Sequence, residues 1–355
     1  MKKSLFILSF FIFLSGAYSQ KMYGFDRQLS LLSYNADESK VVGFGYTARI
    51  DGGSGMEFQI IVWDKTGVEL YSRRLAGLNK ITIDGNEYRG STRMAKINPD
   101  RTLIYILGVQ YQTKGQQIKS VFHIYDIEKN QLETVIADRE NEIDKFSFHP
   151  KIPGLLAVTY SNQPTGSKVG IWDLSKGMWS LKTYTAKSNY PLSLEFSKDG
   201  KHLLVGCSTS PYHGNIEIFD MNTMKLLKQI PNDKDQILHF GEWNGKYYCT
   251  GSNGTYIINS KTLAYERKLP VAVGKIDAER NIALLNPIKV VEENDVRLYN
   301  LKTEKTSVLI PNLCLSQPVF SGDATKILGI NCKNEFVEGE ITLKTPSAMI
   351  VPFEK

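Results

Sequence analysis

GIWDLSKG, residues 170–177, decides the fold. It reads as two strand residues, a large aromatic, an aspartate and then a turn. IVWDKTG (61–67), HIYDIEK (123–129) and EIFDMNT (217–223) repeat it, and YIINSKT (256–262), RLYNLKT (297–303) and GEITLKT (339–345) are weaker copies. The aromatic or apolar slots are Trp63, Tyr125, Trp172, Phe219, Ile258, Tyr299 and Ile341. They are spaced roughly 40 to 60 residues apart, the period of arrays built from one supersecondary unit. The first gap is the longest and implies an insertion.

A strand, a tight polar turn and a second strand precede each slot. The turns fall at Asp37-Glu38, Asn98-Pro99-Asp100, His149-Pro150, Ser197-Lys198-Asp199-Gly200, Asn244-Gly245, Ala278-Glu279 and Gly322-Asp323. Asn, Asp, Pro and Gly supply the backbone angles that such turns require. Each unit thus reads as four short strands rich in β-branched and aromatic residues. No long segment with helical periodicity follows residue 20. One such unit cannot bury both its faces, but neighbours around an axis bury them for each other. The expectation is an all-β, seven-bladed propeller of four-stranded antiparallel blades, with six or eight blades as the alternatives.

The units resemble WD40 repeats. Trp63-Asp64 and Trp172-Asp173 carry the signature dipeptide, and Phe148-His149-Pro150 and Phe196 to Gly200 resemble the family's turn; the likeness covers roughly residues 25 to 353. The Gly-His dipeptide of the family is absent, so its Asp–His hydrogen-bond ladder is not carried over. The resemblance implies that the Trp, Phe and Asp of the motif are structural and that the protein acts as an interaction scaffold. Two ring closures stay open. Residues 347–353 form the outer strand of the last unit, or residues 21–28 cross over to pair with it.

Residues 1–19 read as a signal peptide. Lys2 and Lys3 precede an apolar run from Leu5 to Leu14, and Ala17 and Ser19 place small residues before Gln20. That run is too short to span a bilayer, which needs ~20 residues. Residues 20–355 are then one WD40-like domain, exported to a periplasm or outside the cell, where disulfides are admissible. The chain carries 43 basic and 37 acidic side chains, net +6, without the clustered basic stripe that nucleic acid demands.

Local chemistry motifs are weak. Gly43-Phe44-Gly45-Tyr46-Thr47-Ala48 fits a dinucleotide fingerprint, but the glycine-rich residues after it cannot open a helix. None of His123, His149, His202, His213 and His239 shows metal-ligand spacing, and no nucleophile elbow is present. No catalytic residue, metal or cofactor is expected. If Phe320 pairs with Lys326, Cys314 faces Cys332 across a hairpin and can form a disulfide, whereas Cys207 and Cys249 read as free buried thiols. The loops after the second strands of the first four units contain Tyr46 and Arg49, Tyr111, Tyr160 and Asn162, and Tyr212 and His213. Tyrosines among adaptable polar residues suit a recognition surface. The sequence therefore points to a monomeric, non-catalytic module that binds a protein or a cell-envelope polymer. A propeller enzyme, or a carbohydrate or small-ligand site at the central channel, is the alternative.

Overall fold

The computed structural model describes residues 21–23, 28–48, 56–65, 68–75, 78, 80–83, 85–112, 118–138, 142–161, 168–174, 184–185, 190–210, 213–233, 235–251, 253–285, 296–310, 315–320, 326–331, 335–337, 340–342 and 348–352. They form antiparallel sheets, each named here by its motif residue. The Trp63 sheet runs Gln28–Tyr34, Lys40–Ala48, Met56–Asp64, Glu69–Arg74. The Tyr125 sheet contains Lys80–Ile83, Asn86–Ile97, Leu103–Gln112, Ile118–Asp126 and Gln131–Asp138. The Trp172 sheet contains Glu142–Phe148, Leu155–Ser161, Lys168–Asp173 and Tyr184–Thr185. Next come the Phe219 sheet (Tyr190–Phe196, His202–Ser210, His213–Asp220, Leu226–Asp233) and the Ile258 sheet (Ile237–Trp243, Lys246–Gly251, Gly254–Asn259, Tyr265–Leu269). The Tyr299 sheet is Val273–Asp277, Ile282–Leu285, Val296–Asn300, Thr306–Ile310. A closing sheet joins Leu315–Phe320, Lys326–Asn331 and Ala348–Pro352 to Lys21–Tyr23.

The inner strands touch in succession. Gln28–Tyr34 meets Asn86–Ile97, which meets Glu142–Phe148, and so on through Tyr190–Phe196, Ile237–Trp243 and Val273–Asp277 to Leu315–Phe320, which returns to Gln28–Tyr34. The expectation of seven four-stranded blades is corrected here. Among the described residues, six sheets have four strands and the Tyr125 sheet has five. The insertion in the long first gap explains the difference. It folds as a hairpin, Lys80–Ile83 against Asn86–Arg89, turned at Gly85 with φ +76°. Its second arm runs on into an inner strand of 12 residues, Asn86–Ile97.

Closure takes the crossover route. Lys21, Met22 and Tyr23 pair with Ile350, Met349 and Ala348. The Ile341 slot is a second correction. Glu340–Thr342 pairs with Glu335–Val337 in a separate hairpin, and Ala348–Pro352 takes the third place in the closing sheet. A two-residue connection favours local pairing, whereas Met349, Ile350 and Val351 offer an apolar strand.

The motif residues build the core between sheets. Trp172 stacks on Phe122 of the preceding sheet with centroids 5.0 Å apart. Trp63 packs with Leu328 of the closing sheet, and Phe219 joins Ala157, Val169 and Ile171 of the Trp172 sheet. Each is nearly fully buried. Burying a side chain of this size is worth about 1.5–3 kcal/mol, and truncating it costs more because a cavity remains.

In four of the sheets the Asp or Asn after the motif residue holds its own turn. Asp126 Oδ1 accepts from the backbone N–H of Glu128 and Lys129, and Asp220 Oδ1 from those of Asn222 and Thr223. Asn259 and Asn300 repeat the arrangement two and three residues on. The next residue in each case, Asn130, Met224, Leu263 or Glu304, is left-handed. The motif acid is thus an Asx-turn device, consistent with the structural role implied by the resemblance.

Candidate functional site

The ring has two distinct ends. One carries the first-to-second-strand turns, such as Asn98 to Leu103, where Asn98 Oδ1 accepts from the N–H of Thr102 and Leu103. The other carries the second-to-third-strand loops expected to form a recognition surface.

The structure divides the tyrosines. Tyr160 is buried at 4 % exposure and packs among Phe146, Leu156, Val158 and Trp172. Its ring fills the space beside Gly170, where a Cβ would lie 3.0 Å from Tyr160 Cε2. Tyr160 therefore belongs to the core, and its place in the recognition set is corrected. Strand alternation gives the reason: it lies on one face with Leu156 and Val158. Tyr46 is half-buried and tilted against Phe58, centroids 6.0 Å apart. The Tyr111 backbone pairs with Arg89 and Ile118, and the His213 backbone with Ser210 and Asp233. Arg49, Asn162, Tyr212, Cys314 and Cys332 lie outside the described residues.

The cysteine register differs from the sequence expectation near the turn. Phe320 pairs with Ile327 rather than Lys326, but a bulge between Ser316 and Val319 shifts the ladder, and Leu315 then faces Asn331. Cys207 and Cys249 are buried thiols outside any disulfide, on second strands of adjacent sheets. Burial pushes the Cys249 thiol far up, so it is inert. Gly43 and Gly45 sit inside the continuous strand Lys40–Ala48, not at a strand-to-helix turn.

The Lys80–Arg89 hairpin is a feature the sequence did not assign. Its register places it at the loop end, because Tyr88 and Arg89 pair with Gln112 and Tyr111, the residues that enter the loop. Tyr88 anchors it, buried with Val121. Glu87 lies between Lys80 (2.7 Å) and Arg89 (3.1 Å), and these two cations hold its carboxyl below the usual range. The signal for it was present in the 62-residue first spacing between Trp63 and Tyr125.

At the axis, every inner strand is bulged. The ladder shifts between Leu29 and Leu31, Thr92 and Met94, Ile143 and Lys145, Pro191 and Ser193, Ile237 and His239, Val273 and Ile276, and Ser316 and Val319. Bulges re-aim side chains, and here they act at one level around the channel. Lys145 and His239 directly follow the irregularity, and Lys275 falls within it. Further toward the turn end, Lys96 Nζ lies 3.8 Å from Glu195 Oε2. These two residues belong to sheets separated by the Trp172 sheet, so their side chains meet past it. Among the described residues, no three His, Cys, Asp or Glu side chains converge as metal ligands would.

No family model and no curated protein matches the sequence. Solved structures do match. A chain from the crystal structure of the mitotic checkpoint complex superposes with a TM-score of 0.62 at 12% identity, covering 99% of this chain and 100% of that one. The structure of U3-55K gives 0.60 at 12% identity, covering 94% and 98%. At such identity the likeness speaks to fold alone. Together with the antiparallel four-stranded blades, the closed run of inner strands and the repeated turn motif, it shows that this chain has a WD40-like β-propeller fold.

Proposed function

We propose that the protein is an exported, non-catalytic interaction module that binds a protein or cell-envelope polymer on the loop end of its propeller. The observation carrying this reading is the Lys80–Arg89 hairpin, which makes that end asymmetric and adds a charged, half-exposed edge beside Tyr111. Its Lys80, Glu87 and Arg89 side chains offer both signs of charge at the rim, a pattern that steers partners and sets register. The mitotic checkpoint neighbour is, by its title, part of a complex, which supports a scaffold role for this architecture. Export rests on the basic, apolar and small-residue series of residues 1–19.

The test immobilises the mature protein and compares envelope material captured by three forms: wild type, a form with residues 80–89 replaced by a Gly-Ser linker, and Lys129→Glu at the opposite end. The reading expects the linker form to lose the captured partner and Lys129→Glu to keep it. Equal capture by all three contradicts it. N-terminal sequencing of the exported protein is expected to begin at Gln20, and retention of residues 1–19 contradicts the export step.

A further inference from the structure

The strand Lys80–Ile83 ends its sheet. It pairs with the inner strand Asn86–Ile97 on the side away from Leu103–Gln112, and among the described residues no strand lies beyond it. Ile83 and Asn86 face each other across a two-residue connection, which makes them the hydrogen-bonded pair beside the turn. Antiparallel pairs alternate along a ladder. Ile81 and Tyr88 are then hydrogen-bonded as well, whereas Thr82 with Glu87 and Lys80 with Arg89 are the pairs that exchange no bonds. The backbone N–H and C=O groups of Lys80 and Thr82 therefore point away from the hairpin, along the open edge. Both residues are exposed.

The edge is fixed from behind. Ile81 packs on the buried pair Tyr88 and Val121. A strand held in this way pays little ordering cost when another chain joins it. Its charge is unbalanced too. Lys80 stands directly opposite Arg89, and like charges so placed repel. One carboxylate serves both: Glu87 Oε2 lies 2.7 Å from Lys80 Nζ, and Glu87 Oε1 lies 3.1 Å from Arg89 Nε.

We propose that Lys80–Ile83 takes up an extended segment of a partner protein as an added strand, with an acidic side chain beside Lys80. This rests on the loop-end binding reading and names the chemistry of the partner. Backbone bonds to Lys80 and Thr82 supply affinity that any extended chain can use. A carboxylate shared by Lys80 and Arg89 relieves their repulsion and selects among such chains. A charged lysine on so short an edge also discourages pairing with a second copy of the same edge.

The probe is a displayed library of random decapeptides, selected on the immobilised mature protein and counter-selected on the form with residues 80–89 replaced by a Gly-Ser linker. Peptides enriched in Asp and Glu are expected. Thr82→Pro removes one outward N–H and keeps the hairpin's own bonds, since edge strands tolerate proline there. It is expected to weaken the selected peptides by about tenfold, the worth of one backbone hydrogen bond. Lys80→Glu is expected to weaken them by about tenfold and Lys80→Arg to retain them. Melting curves check that the variants fold. Selection of no peptide, or peptides that bind Thr82→Pro as tightly as wild type, overturns the proposal. A dimer in sedimentation that Thr82→Pro dissociates assigns the edge to a second copy and overturns it as well. If the linker form loses the envelope partner while Thr82→Pro keeps it, strand addition falls and loop-end binding stands. Capture unaffected by the linker form removes both.

Discussion

The His149 ring occupies the space that a side chain on Gly200 would need. A Cβ at residue 200 would fall 2.5 Å from His149 Cε1, and the glycine is left-handed at φ +76°. The two residues sit in corresponding turns of adjacent sheets, so the contact ties one blade to the next. His149 Nδ1 accepts from the backbone N–H of Lys151 and Ile152, which orients the ring, and Phe196 packs edge-on at 5.0 Å. Gly200→Ala is expected to destabilise by about 2–4 kcal/mol, combining backbone strain with displacement of the ring. The double variant His149→Ala/Gly200→Ala is expected to cost less than the sum of the singles. Urea denaturation checks this, and strict additivity contradicts the contact.

Acid sensitivity follows from His123. Burial lowers its folded-state value from 6.5 to about 4. Its Nδ1 shares a hydrogen bond with Thr134 Oγ1 at 2.8 Å, while Nε2 has no protein partner among the described residues. The unfolded chain binds the proton more readily. The stability held by neutral His123 is thus fully present above about pH 6.5 and lost as pH falls toward 4. The magnitude is about 3 kcal/mol. His123→Gln is expected to flatten the stability profile between pH 7 and about pH 4 relative to wild type. An unchanged slope contradicts this origin.

Tyr160 and Tyr111 are expected to separate. Tyr160→Ala removes a core ring beside Gly170 and is expected to cost about 3–5 kcal/mol. Tyr111→Ala is expected to leave the melting temperature in place and weaken partner capture. Thermal melts of the two variants check the division, and equal melting temperatures contradict it.

The hairpin register bears on the remaining cysteines. Leu315 faces Asn331, and Cys314 and Cys332 are the next residues outward in sequence. A disulfide between them is expected to protect both from alkylation in the native, non-reduced protein, with peptide mapping as the check. Native alkylation of Cys314 contradicts it.

Much of the fold was legible because it is written locally. Asn98, Asp126 and Asp220 each hold a turn within a few residues of themselves, and Trp172 and Phe219 each stand directly before an aspartate. What was not legible is non-local or cumulative. The short strand Lys21–Tyr23 pairs with Ala348–Pro352 at the far end of the chain, and nothing in KMY announces that. The inner-strand bulges leave no residue signature, as Ser30, Arg93, Asp144, Leu192 and Leu238 show. The approach of Lys96 to Glu195 emerges only when the Tyr125 and Phe219 sheets meet past the Trp172 sheet. The core position of Tyr160 is written locally as well, since period-two alternation sets it on one face with Leu156 and Val158.

Both the loop end and the channel depend on a closed ring, and closure rests on Met22 standing opposite Met349. The most direct test is a Met22→Cys/Met349→Cys variant treated with a mild oxidant. Directly opposed residues of antiparallel strands lie within disulfide reach. Rapid, near-complete crosslinking of the two introduced thiols on non-reducing gels, with a raised melting temperature, is the expected result. A protein that stays uncrosslinked while folded contradicts the closure and the surfaces built upon it.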